Sequence, residues 1–332
     1  MLKPEKDLKT TSRNMCIALI STAHPSYSLV LIDNRDEFLN RPTAPASWWP
    51  EPDSDVLAGR DLLRSVQGTW LGATKDGRIA VLTNFREDTP PAPEAISRGA
   101  VIRSFLTGPH VGTAKFVKDV LESGIGRDIG GFSLVCGNVG EALAVISNRA
   151  ASEAEIPWIQ PDKSETVGLS NAAFGNRTWK KVIDGEAGLR DAIKEHVEAN
   201  DGEKPFIQRL LKLLSTDTLP RKEPDGDLET YIPFLRETIF VPAIGQPNVK
   251  TTEQVAISIG ETEARAVKKT DGLGVSGRYG TQKQTVVLVD HASRVRYFER
   301  TLYDDDGSPL ALGQGDVDFE FNIRKEPPAK AL

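Results

Sequence analysis

The chain has 332 residues, with 41 Lys and Arg against 47 Asp and Glu and a formal charge of −6. That balance excludes a dedicated nucleic-acid surface, which needs a basic excess or a basic stripe. Hydrophobic residues make up 39% and charged residues 27%, an ordinary globular composition with enough apolar mass for a large core. The two cysteines, Cys16 and Cys136, exclude a disulfide framework and read as those of a reducing compartment. The histidines His24, His110, His196 and His291 are scattered without ligand spacing, so no metal centre is expected.

Residues 1–14 mix Lys3, Lys6, Lys9 and Arg13 with Glu5 and Asp7 and lack the apolar stretch of a secretory signal. They read as a polar, disordered extension, and residues 15–332 as one domain. No apolar run approaches the ~18 residues of a bilayer span, so the expectation is a soluble chain with peripheral membrane contact at most. Order begins at Met15-Cys16. Residues 16–22 and 28–33 are apolar and β-branched, which predicts a hairpin of two strands around His24-Pro25. The second strand runs into Asn34-Arg35-Asp36-Glu37, four polar groups at a strand end. Residues 41–53, with their prolines and Trp48-Trp49, read as an ordered irregular loop. A turn at Asp76-Gly77 leads into a strand over 78–84 that ends at Asn84.

Helical spacing predicts a helix over about 94–106, with Ile96, Val101, Ile102, Phe105 and Leu106 on one face, and another over about 113–123. Residues 131–137 and 141–148 form a second hairpin, and Gly168 to Asn171 closes a short strand. A long helix is expected over 178–198, with Gly185 and Gly188 as points of interruption, then a helix over 205–214. Residues 215–230 read as a polar surface loop and 246–270 as a mobile insertion. Strands are expected over 238–243, 284–290, 294–300 and 318–323. Strands and helices come in blocks, which predicts an α+β fold with antiparallel sheets and helices on their outer faces.

The strings Met15-Cys16, Asn34-Arg35-Asp36-Glu37, Arg41-Pro42, Gly68-Thr69-Trp70-Leu71-Gly72, Leu82-Thr83-Asn84, Ser97-Arg98-Gly99, Gly131-Phe132-Ser133-Leu134, Gly168-Leu169-Ser170-Asn171, Tyr279-Gly280-Thr281 and Glu299-Arg300 occur in that order. This series resembles the NRDE family, also called the transport and Golgi organization protein 2 family, over nearly everything from residue 15 onward. The resemblance implies a four-layer αββα sandwich of the Ntn-hydrolase kind. It also implies a role in Golgi organization and protein secretion, and in haem trafficking, with haem as a bound cargo and no cofactor required. The compartment it implies is the cytoplasm, with Golgi or mitochondrial association. Two departures stand out. Family members begin at Met-Cys, whereas here residues 1–14 precede it; and an arginine usually follows Tyr-Gly-Thr where this chain has Gln282. Arg278, just before that string, is one place from which the missing charge could come.

The same residues permit a second function, a cysteine amidohydrolase acting on an acyl or other linear amide. If Met15 were the initiator and were trimmed, Cys16 would carry a free α-amine with a pKa near ~8, able to take the proton of its own thiol. Cys16 reads equally well as a small core hydrophobe in an apolar run. The resemblance to choloylglycine-hydrolase-like enzymes implies that Arg35 and Asp36 orient that amine and lower the thiol pKa; a strand-end salt bridge is the plainer alternative. Asn84 and Asn171 end strands, and their amide groups could stabilise an oxyanion by about 3 kcal/mol each, or serve as ordinary turn residues. Trp48, Trp49 and Trp70 could line an apolar mouth or simply pack. Cys136 reads as core. Gly272 to Gly277 matches G-x-G-x-x-G but neither follows a strand nor opens a helix, so it reads as a loop and not a dinucleotide site. A catalytically inactive scaffold on the same fold is the third function considered.

Overall fold

The computed structural model describes residues 15–84, 97–124, 129–220, 228–246 and 277–324. The polar extension 1–14, nearly all of the expected insertion at 246–270 and all but the end of the Gly272 to Gly277 string lie outside these residues.

The predicted first hairpin forms from β1 (Ile17–Ser21) and β2 (Tyr27–Phe38), with Ile17 opposite Asn34. β2 does not stop at residue 33 as expected: Asn34-Arg35-Asp36-Glu37 lies inside the strand. It is held there by β11 (Tyr279–Asp290), which pairs with β2 through this whole stretch, whereas the pairing with β1 ends at Asn34. One six-stranded antiparallel sheet runs in the order β10 (Thr166–Leu169), β1, β2, β11, β12 (Arg294–Thr301), β13 (Asp316–Asn322).

The second sheet takes its seven strands in chain order: β3 (Thr43–Trp48), β4 (Val56–Asp61), β5 (Leu71–Thr74), β6 (Arg78–Asn84), β7 (Phe132–Asn138), β8 (Leu143–Ser147) and β9 (Trp158–Ile159). Two readings are corrected here. Residues 41–53 are not wholly irregular, because β3 forms at the sheet edge with a register break between Ala44 and Ser47 that accommodates Pro45. Residues 238–243 are not a strand. Beside β11 the Thr281 N–H donates to Val241 O at 2.8 Å, the Val241 N–H turns to the Thr281 side chain at 2.9 Å instead of a backbone carbonyl, and Pro242 has no N–H to extend the pairing.

The sheets pack face to face on a shared core that includes Ala18, Leu29, Leu31, Val287 and Val289 from one and Leu57, Leu71, Val81, Val135 and Val145 from the other. Helices α1 (Arg98–Thr107) and α2 (Thr113–Ser123) cover the outer face of the seven-stranded sheet through Val101, Ile102, Phe105 and Val117. Helices α3 (Lys180–Ala199) and α4 (Glu203–Leu214) cover the six-stranded sheet through Leu189, Phe206, Leu210 and Leu214. The layers are therefore αββα, as the resemblance implied. Each fully buried Leu or Phe contributes roughly 1.5–3 kcal/mol to this arrangement. The loop expected to be polar surface at 215–230 buries Leu219 and Leu228 beside Met15, and its end forms the short helix α5 (Leu228–Tyr231). Among the described residues no helix is long and apolar enough to cross a membrane.

Gly185 and Gly188 do not interrupt α3. They are where it lies closest to its neighbours: a Cβ on Gly185 would stand 2.8 Å from Leu19 of β1, and one on Gly188 2.5 Å from Leu213 of α4. Gly185→Val therefore overpacks the α3–β1 contact and is expected to lower stability by about 1–3 kcal/mol; urea unfolding measures it, and an unchanged midpoint contradicts the tight contact.

Candidate functional site

Period-2 alternation assigns the faces of β2. Leu29 and Leu31 point between the sheets, Val30 and Ile32 toward α3 and α4. The parity carries into the polar stretch, so Asp33, Arg35 and Glu37 face the inter-sheet side and Asn34 and Asp36 the helix side. Cys16 shares the inter-sheet side of β1 with Ala18. At this end of the sandwich a cavity of about 180 Å³ is lined by Cys16, Arg35, Asp36, Glu37 and Asn84, with Trp70 and the Arg98-Gly99 start of α1. Five of the residues nominated from sequence thus meet at one site.

Arg35 is buried with its guanidinium 4.6 Å from the centre of the Trp70 ring, a cation–π placement worth roughly 0.5–2 kcal/mol. It also donates to Gln282 Oε1, and Gln282 in turn donates to the carbonyls of Leu39 and Arg41, both at 3.1 Å. Gln282 occupies the bulge between Thr281 and Lys283 in the β11–β2 register. The glutamine at the position of the family arginine therefore serves as the acceptor that fixes Arg35. Arg278 is half-buried and does not line the cavity. Arg41 binds Asp61 through Nε and Nη2 at 3.0 and 2.6 Å and lies 3.6 Å from Glu37.

On the other face Asp36 is fully buried. Thr281 Oγ1 donates to its Oδ1 at 2.6 Å, and Lys181 Nζ lies 4.0 Å from Oδ2. Burial pushes the Asp36 carboxyl up to about 7, opposed by Lys181, the Thr281 hydroxyl and Arg35. Burial likewise lowers Lys181, with Asp36 opposing. Lys181 also donates to the carbonyl of Met15, while the Met15 N–H donates to Tyr279 Oη at 2.8 Å. Ser170 Oγ donates to the Cys16 carbonyl at 2.6 Å. The Cys16 thiol makes a 3.7 Å contact to the Asp36 carbonyl oxygen, and burial pushes its pKa up strongly, with the Asp36 and Asp33 carboxyls acting the same way. With residue 15 attached, Cys16 is thus a protonated thiol, and the Met15–Cys16 peptide is gripped at both ends.

Asn34 serves the fold: its amide donates to Leu214 O at 2.7 Å and Ile239 O at 2.9 Å, tying β2 to the end of α4. Asn171 is buried beside Ser170 and does not line the cavity. Of the three tryptophans only Trp70 reaches the cavity; Trp49 donates to Ala58 O in the helix-side core, and Trp48 packs on Lys75 and Phe321. Cys136 lies in the core beneath α1 and α2. Among the described residues no three His, Cys, Asp or Glu side chains are grouped to hold a metal ion. Sequence reasoning missed Lys181, Thr281 and Ser170 as partners of the site. Lys181 had a signal: it falls on the buried stripe of α3 with Gly185 and Leu189, where a lone lysine needs a partner.

A raised carboxyl gives stability a defined pH dependence. The folded chain holds the Asp36 proton between the unfolded value of 3.8 and about 7, so stability from this group falls as pH rises through that window and is fully lost above it, by at most about 1.4 kcal/mol per pH unit. Urea unfolding at pH 5 and pH 8 is expected to show that decline, with a shallower one in Asp36→Asn; equal slopes contradict the assignment.

A family model described as Transport and Golgi organisation 2 matches residues 15–304. The mouse transport and Golgi organization 2 homolog is 28% identical over 290 residues, covering 85% of this chain and 90% of the mouse protein. The Drosophila melanogaster protein of that name is 23% identical over 286 residues, covering 83% and 87%. Among solved structures, a mutant conjugated bile acid hydrolase from Clostridium perfringens aligns with 93% of this chain and 98% of its own at 11% identity and a TM-score of 0.37, too low to carry detail across. With the family model spanning β1 to β12 and every residue of the cavity wall, the chain belongs to the transport and Golgi organisation 2 family.

Proposed function

We propose that the cavity is the binding site of a small acyl amide and that Cys16 acts on it as a nucleophile once its α-amine is free. The observation that carries this reading is the meeting of Cys16, Arg35, Asp36 and Asn84 in one cavity at the head of β1. In the chain with residue 15 attached, the thiol has no adjacent base: its sulfur meets a carbonyl oxygen, and burial holds its proton. A freed amine, with a pKa near ~8, supplies that base. The amine takes the thiol proton, Sγ bonds to the amide carbonyl carbon, and the leaving nitrogen takes up the proton as its bond to carbon breaks. Water then cleaves the thioester, restoring the thiol and releasing the acid. In this reading the amide of Asn84, a residue of the cavity wall, stabilises the developing oxyanion.

Full-length chain and chain beginning at Cys16, each verified by intact mass, separate this reading from that of a binding protein. The chain beginning at Cys16 is expected to react with iodoacetamide at pH 7.5 at least about tenfold faster at Cys16 and to hydrolyse fluorogenic acyl amides, with turnover abolished in Cys16→Ala. Equal thiol reactivity and no turnover in both forms remove the hydrolase reading.

A role in secretion and Golgi organisation is proposed on a different ground, the names of the relatives. Haem as cargo is the part of that proposal the described cavity favours least, because about 180 Å³ lies below the roughly 300–1,000 Å³ of sites that enclose drug-sized ligands. Titration of haem into the full chain tests it: a Soret shift no tighter than with an inert control protein removes haem from the reading.

A further inference from the structure

The core between the sheets turns polar behind the cavity wall, and its polar groups are left unmatched. Asp33 on β2 stands opposite Thr285 on β11, and Thr285 opposite Glu299 on β12. Tyr297, two residues before Glu299, shares the same face. None of the four is more than 2% exposed. Yet Asp33 Oδ2, Thr285 Oγ1, Glu299 Oε2 and Tyr297 Oη have no hydrogen-bond partner among the described residues. Directly opposed cross-strand residues have Cβ atoms about 4.5–5.5 Å apart, so these groups form one cluster. From the facing sheet Ser133 Oγ, also buried and unpartnered, points into the same inter-sheet layer as Val135.

More than about nine in ten buried polar groups in folded proteins have a partner, and each one left without costs about 1–3 kcal/mol. Four such atoms in adjacent positions of one sheet are not sustained dry. A buried water satisfies about three polar groups at once, and this row offers hydroxyl donors and carboxyl acceptors at matching spacing. We propose that Asp33, Thr285, Glu299 and Tyr297 form a buried water-binding site between the sheets, directly behind the Cys16 cavity.

The surrounding charges define how the site is protonated. Arg35 and Glu37 follow Asp33 on the same face of β2 and line the cavity, so the row continues the cavity wall inward. Lys283 on β11 is committed to Glu299 Oε1 at 3.1 Å and Thr301 Oγ1 at 2.8 Å, which leaves Glu299 Oε2 as the acceptor that faces the row. Among the described residues no cation is bonded to Asp33; burial holds its carboxyl well above the usual range, Asp36 and Glu299 act the same way, and Arg35 and Lys181 oppose. Asp33 therefore holds a proton and donates it to the water, while Glu299 accepts. The existence of this site does not depend on whether Cys16 is catalytic.

Two measurements on the full chain test it. A crystal structure at a resolution that shows ordered water is expected to place water within hydrogen-bond distance of at least two of the four groups, and near-isosteric Thr285→Val to lose at least one such water. A dry interior with the four side chains bonded to one another overturns the proposal. Infrared difference spectra at pH 7.5 are expected to show a protonated-carboxyl C=O band that Asp33→Asn removes. A spectrum in which that variant removes only carboxylate intensity overturns the protonated state, and the Thr285→Val crystal structure remains decisive for the water if Asp33→Asn fails to fold.

Discussion

The structure depends on one constraint: β2 carries Asp33, Asn34, Arg35, Asp36 and Glu37 as five consecutive buried residues, the first two paired on both sides and the last three by β11 alone. A buried charge without a partner costs several kcal/mol, so the neighbouring elements are organised around that stretch. α3 places Lys181 beside Asp36, β11 supplies Thr281 and bulges at Gln282 to reach Arg35, the second sheet lays Trp70 under Arg35, and α4 ends where Asn34 can bind its last carbonyl. Replacing such residues by well-packed apolar ones is often neutral or stabilising. Stability is therefore a poor account of why they are there, and the cavity they surround is a better one.

Much of the layering was legible in the sequence because it rests on periodicity. The apolar stripes of α1 to α4 state directly which face is buried, and the continuous apolar runs of β6, β7 and β8 mark strands covered on both faces. What was not legible involved residues whose partners are distant in sequence. Asn34 to Glu37 read as a strand end because an isolated strand cannot bury them; only pairing with β11, some 245 residues away for the Asp36–Thr281 bond, makes their burial possible. β3 was hidden by Pro45, since an edge strand tolerates what a central strand does not. Gly185 and Gly188 carry a helix penalty when read locally, and only the approach of Leu19 and Leu213 shows what the missing side chains allow.

The candidate site was legible in the same measure. Cys16, Arg35, Asp36 and Asn84 were reachable because each stands at or near a strand end on a short hairpin or meander, where local geometry decides position. Asn171 and Arg278 were weighed on residue type and place in the chain, and neither reaches the cavity. The partners that set the electrostatics, Lys181 above all, belong to a helix whose stripe places them but whose docking no local rule gives. Gln282 illustrates the limit: read against a family pattern it is a lost charge, whereas in the fold it is the acceptor that holds Arg35 over Trp70.

The Met15–Cys16 peptide links the two faces of the site. On the inter-sheet side lie the thiol, Arg35 and, behind them, the row of Asp33, Thr285 and Glu299; on the helix side lie Lys181 and Tyr279, each bonded to residue 15, and Asp36, 4.0 Å from Lys181. While that peptide is intact, Lys181 and Tyr279 are committed to Met15, and the Cys16 nitrogen is an amide with no basicity. Breaking it would release the Lys181 ammonium and the Tyr279 hydroxyl and create an amine on Cys16, whose thiol contacts the Asp36 carbonyl oxygen. In the hydrolase reading, one covalent bond thus decides whether the same buried charges hold the chain at residue 15 or serve a base beside a thiol.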